Sequence, residues 1–139
     1  FLKQVAQEGS VHVPLVIAGP GVAGARTSAA LVEWIDLAAT FLDLAELPVP
    51  ASWDARSFKG ILSATSPDSE HRSAQVSQLG DWRMVFDGRH KRIEHRGGAA
   101  ELYDLPTDPA ELDNRIGQEP GLDRKLAGIL EREAPWPEE

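Results

Sequence analysis

Residues 74–105 read AQVSQLGDWRMVFDGRHKRIEHRGGAAELYDL. Ala74–Leu79, Trp82–Phe86, Lys91–His95 and Glu101–Leu105 are short strand-like runs. They are separated by Gly80-Asp81, Asp87-Gly88 and Gly97-Gly98. Glycine, with no Cβ, and aspartate, with a short side chain that bonds nearby amides, suit tight hairpin loops. The spacing therefore predicts a small antiparallel sheet of three or four strands. Arg83, Arg89, Lys91, Arg92 and Arg96 fall on these hairpins and read as a solvated basic face balanced by nearby acids.

Toward the C-terminus, Thr107-Asp108-Pro109-Ala110-Glu111 has the order of a helix start. Asp108 can cap, Pro109 suits the first helical position and Glu111 can close a capping box. A last helix is expected from about Pro120, with Leu122, Leu126, Ile129 and Leu130 on one face and Pro135 ending it. Such a helix should cover one face of the sheet and bury Leu102, Leu126 and Leu130.

Toward the N-terminus, Val11–Ile17 is an apolar, β-branched run stopped by Ala18-Gly19-Pro20-Gly21 and reads as a buried strand. Pro14 demotes its first part to an edge or entry position. Leu31–Leu47 is core. It reads either as one helix or as a strand at Leu31–Ile35 followed by a helix that Asp36 caps and Pro48 stops. The second reading is preferred, because aspartate is a strong cap. About 48–71 is rich in Pro, Ser, Ala and Asp, a surface excursion with one apolar knot at Phe58, Ile61 and Leu62.

The bulk numbers fit this plan. At 139 residues the chain has one domain's length, and four Trp, four Phe and one Tyr supply core anchors. A formal net charge of −8 argues against nucleic-acid binding, since a phosphate backbone would be repelled. It leaves a small anionic substrate open, because local charges set a site. With no cysteine, disulfides and thiolate chemistry are excluded within these residues. No apolar run reaches the roughly 20 residues that span a bilayer.

Lys3-Gln4-Val5-Ala6-Gln7-Glu8-Gly9 followed by Val11-His12-Val13-Pro14 resembles a stretch of the formylglycine-dependent sulfatases, where a lysine lies five residues before Glu-Gly. Pro14–Gly21 and Trp34-Ile35-Asp36-Leu37-Ala38-Ala39-Thr40 are similar to that family's continuation, which usually has Pro at the place of Ala39. Glu101–Leu105, Asp108–Glu111 and Asn114 match its closing sheet and turn. The pieces occur in the family's order and cover most of the chain.

The resemblance implies an α/β protein, α+β within this piece. Residues 1–71 would end an alkaline phosphatase-like α/β domain, and 72–139 would be a small antiparallel sheet packed by a C-terminal helix. It further implies a calcium ion and a formylglycine made from the Cys or Ser of a Cys/Ser-x-Pro-x-Arg motif. Both would belong to an N-terminal catalytic portion, since no such motif occurs here. That portion and a small-molecule sulfate ester are the expected partners. By matching position the chain contributes Lys3, as the sulfate-binding lysine. An ammonium is a compact donor suited to sulfate oxygens and to a departing oxygen. His12 stands where the family more often has Arg and is a weaker substrate-binding candidate. Glu8 is expected to order the loop behind Lys3 by bonding backbone. His71, His90 and His95 show no ligand spacing. The piece alone is expected to be inactive. Two alternatives are a phosphonate monoester or phosphodiester hydrolase of the same superfamily, and a non-catalytic binding or oligomerisation module. The last would show an exposed apolar patch near Trp53, Phe58 or Trp136.

Overall fold

In the computed structural model, which describes residues 4–65, 68 and 71–137, the glycine-marked turns close four strands into one antiparallel sheet. The strands are β1 (Gln75–Leu79), β2 (Trp82–Phe86), β3 (His90–His95) and β4 (Glu101–Asp104), in the order β1-β2-β3-β4. Gly80 and Gly88 have φ of +56° and +93°, where a Cβ would be strained. Asp87 completes the second turn, its Oδ1 accepting the amides of Arg89 (3.1 Å) and His90 (2.8 Å). Pairing sets Met84 opposite Ile93 and Val85 opposite Arg92, and Lys91 opposite Tyr103 and Arg92 opposite Leu102.

Side chains alternate across a sheet, so each register pair names a face. One face carries Trp82, Met84, Ile93 and Tyr103, which form a core cluster with Ala6 and Leu105. The other faces the C-terminal helix, Pro120–Glu133, which contacts β2 and β3 and buries Leu126 and Leu130. Leu102 is buried too, as expected. Three shorter helical segments precede the sheet: α1 (Glu8–Val11), α2 (Trp34–Leu44) and α3 (Lys59–Leu62), so the C-terminal helix is α4. The chain divides into two units, Phe1–Pro14 with Val76–Glu139, and Leu15–Gln75.

Several local expectations change. Glu8–Val11 is a helical turn, and residues 12–17 are neither helix nor strand. A strand exists through a partner's hydrogen bonds, and among the described residues none lies beside this run. The helix of the 31–47 segment begins at Trp34, and Asp36 is its third residue, not its cap. Glu33 is the cap, its amide donating to Asp36 Oδ2 (3.0 Å) in a capping box. The stop comes before Pro48. Glu46 takes φ +58° while its amide bonds Asp43 O and that of Leu47 bonds Leu42 O, a Schellman closure built without glycine. Asp108 does collect amides, from Leu112 and Asp113, yet no helix follows. Glu111 has turned inward with φ +55°. Phe58 and Ile61 are buried, as the apolar knot required.

Candidate functional site

The segment behind Lys3 is tied to the sheet at three points. The Trp82 Nε1–H donates to Gln4 O (2.8 Å), Ala6 lies in the core cluster, and Glu8 is held by both its main chain and its side chain. Its amide donates to Glu111 Oε2 (2.7 Å), and its Oε1 accepts from Lys91 Nζ (2.7 Å). Lys91 Nζ also reaches Glu111 Oε1 (2.9 Å), and the lysine is 0% exposed. Glu8 therefore orders this loop through ion pairing more than through backbone bonds. Lys3 itself lies outside the described residues. His12 is described, its side chain 75% exposed with Nδ1 2.9 Å from Glu8 Oε2.

The expected solvated basic face is instead largely interior. Arg83, Lys91 and Arg92 are buried. Arg83 donates to Glu94, Glu131 and Ala134 O, and Arg92 to Glu94 and Asp123. The reason is that both sheet faces are covered, one by residues 4–11 and the other by α4, and the covering elements bring carboxylates. Charge balance, part of the sequence reading, holds; solvation does not. Arg89 stays at the surface and pairs with Asp104. Trp136 packs beneath the guanidinium of Arg83 at 4.8 Å, and that of Arg96 at 5.1 Å.

A second cluster, in Leu15–Gln75, centres on Asp36, which is fully buried. Its carboxylate accepts from Arg72 Nη2 (2.5 Å) and Nε (3.0 Å) and from the amides of Arg56 (2.8 Å) and Glu33 (3.0 Å). His71 Nε2 lies 3.1 Å away. Burial pushes its pKa up, but the Arg72 guanidinium, the two amides and His71 outweigh that and hold it below the usual aspartate range. The sequence reading missed this hub. Its signal was an Asp inside an apolar helical run with two basic residues downstream.

Neither cluster is a metal centre. Among the described residues no three His, Asp or Glu side chains are grouped to hold an ion. His95 pairs with Glu101 (2.8 Å), and Asn114 Oδ1 caps the amides of Leu102 and Ile116. The sequence has no cysteine that could become formylglycine.

Solved structures share the fold of this chain. A solved structure described as a 2-O GAG sulfatase superposes with a TM-score of 0.71 at 26% identity, over 83% of this chain and 28% of that one. The phosphonate monoester hydrolase of Silicibacter pomeroyi gives 0.77 at 24% identity, over 94% and 29%, a likeness of fold. Among curated proteins, Arylsulfatase K of Xenopus laevis is 30% identical over 152 residues, which is 94% of this chain and 28% of the relative's length. Residues 1–130 match the family described as N-sulphoglucosamine sulphohydrolase, C-terminal. The chain belongs to that family, and is a sulfatase C-terminal portion.

Proposed function

We propose that the parent protein hydrolyses sulfate esters and that this chain supplies Lys3 as a cation at the sulfate. What carries the reading is the match over residues 1–130, Lys3 included. The tethering of Gln4, Ala6 and Glu8 supports it, because a charge that acts on a reacting group must be held in place. As the ester S–O bond breaks, negative charge grows on the departing oxygen. An ammonium there is worth more in the transition state than in the ground state. His12, exposed beside the same segment, is a candidate for contact with the substrate's periphery.

The nucleophile, as hydrated formylglycine, and the calcium that neutralises sulfate oxygens are assigned to an N-terminal catalytic portion. That portion is also the natural cover for exposed apolar residues of Leu15–Gln75. Val16 is 91% exposed, Trp34 70% and Phe41 63%. Phe58, named for the rival binding-module patch, is buried, though Trp53 is exposed. The likeness to a phosphonate monoester hydrolase keeps one second reading, that the ester is a phosphonate or phosphodiester. The full-length enzyme should be assayed with matched aryl sulfate and aryl phosphonate esters. A kcat/KM at least tenfold higher for the phosphonate would overturn the sulfatase assignment.

A further inference from the structure

We infer that Lys91, bridging Glu8 and Glu111 beneath the sheet, is a positioning residue that fixes the register of the Lys3 segment. The inference rests on the role proposed for Lys3. Lys91 lies on β3 opposite Tyr103, with Nζ 2.7 Å from Glu8 Oε1 and 2.9 Å from Glu111 Oε1. Glu111 closes the ring by accepting the Glu8 amide at 2.7 Å. One ammonium and two carboxylates thus hold both ends of residue 8 from two separate elements.

Stability alone does not ask for this. A buried ammonium and carboxylate, Lys91 and Glu111, joined by a half-buried Glu8 are commonly no better than apolar groups of similar size, so the ring needs another reason. Geometry supplies one. The apolar contacts of this segment come from Ala6, with Val11 partly buried, while Val5 is 52% exposed. Contacts so small let a segment slide, whereas hydrogen bonds to charged groups fix distance and direction. Glu111 also holds φ +55°, a left-handed conformation that a non-glycine residue keeps only where the surroundings impose it. That backbone sends its carboxylate inward to the ring. Glu8 lies five residues from Lys3, and the Gln4 carbonyl between them is held by Trp82. Without the Glu8 anchor, the stretch that follows Lys3 in sequence would be held by the Gln4 carbonyl bond and by Ala6, too few points to fix its register.

The test is a double-mutant cycle in the full-length enzyme, with Glu8→Ala, Lys3→Ala and the pair, assayed on an aryl sulfate. Glu8→Ala should lower kcat by about 10–100-fold, the scale of misplacing a catalytic group by an ångström, with KM little changed. In the Lys3→Ala background it should cause no further loss, because it acts through Lys3. Glu8→Gln and Glu111→Gln, which remove charge but keep an acceptor, should show a smaller loss of the same kind. They carry the test if the alanine variant does not fold. Independent, multiplying losses would make the ring a structural feature only and overturn the inference, as would full activity of Glu8→Ala. An unimpaired Lys3→Ala enzyme would overturn the function proposed for Lys3 and the inference with it.

Discussion

Asp36 shows what one buried charge does to a small fold. Its carboxylate joins the start of α2 to Arg56, His71 and Arg72, residues 20 to 36 positions away. Its folded pKa is depressed, so the stability it contributes is complete above the unfolded value of about 3.9 and is lost as pH falls through the folded value. Urea midpoints of the chain should fall steeply below about pH 4. Asp36→Asn should flatten that limb and, at neutral pH, cost roughly 1–3 kcal/mol by taking from Arg72 the nearer of its carboxylate partners, Glu33 being the other at 3.4 Å. Matching acid limbs in the two proteins would show that other carboxylates set it. The prediction at Lys3 is kinetic. Lys3→Ala in the full-length enzyme should lower kcat/KM about 10²–10³-fold, the scale of losing one electrostatic donor, with Tm nearly unmoved. Lys3→Arg should rescue it only in part, because a planar guanidinium replaces a point charge. An unchanged kcat/KM would reduce Lys3 to a surface lysine. Lys3 is proposed from its distance to Glu8-Gly9, a pattern along the chain. Asp36 and Lys91 could not be read that way, because what matters about them is which distant residues they meet.

At the scale of elements, α4 is the testable member. Leu126 and Leu130 are fully buried beneath it. Leu126→Ala should destabilise by about 2–5 kcal/mol, the range for truncating a buried leucine. Leu112, 85% exposed in the loop after β4, should change stability by no more than about 0.5 kcal/mol when replaced by alanine. Equal effects in urea unfolding would mean the helix covers something else. The sheet and α4 were legible in the sequence to within a residue or two, since alternation, turn glycines and a Pro-led apolar stripe are local signals. Residues 11–17 were not, because β-branched composition states a preference and pairing needs a neighbour. Nor were 108–111, where the cap chemistry of Asp108 was read correctly. The pull of Lys91 on Glu111 is not a local signal, and there the chain turns inward instead of coiling.

For the whole molecule the first expectation concerns the piece by itself. The isolated chain should show no turnover of a chromogenic aryl sulfate and no micromolar calcium binding by calorimetry, because among the described residues no three His, Asp or Glu side chains are grouped to hold an ion. Activity that survives repurification would show that the chemistry resides here. Exposed Val16, Trp34 and Phe41 should also make the isolated chain bind an apolar dye, and supplying the N-terminal portion should suppress that signal. The covered faces of the sheet explain why charge pattern misled where hydrophobic pattern did not. Apolar residues seek an interior anywhere along the chain, whereas a buried cation needs particular partners, which here include Glu8, Asp123 and Glu131 from outside the sheet as well as Glu94 within it. The tie between residues 8 and 111 adds a matter of timing. Their separation is 103 positions, so at about 5–20 residues per second a ribosome needs roughly 5–20 s to deliver the second after the first. Within that interval Trp82 and Lys91 arrive first, and the acceptor of the Glu8 amide arrives last. A message truncated ahead of residue 111 would leave the Glu8 amide and the Lys91 ammonium each short of one carboxylate, and enzyme activity should therefore lag behind completion of the sheet, whose last strand ends at Asp104.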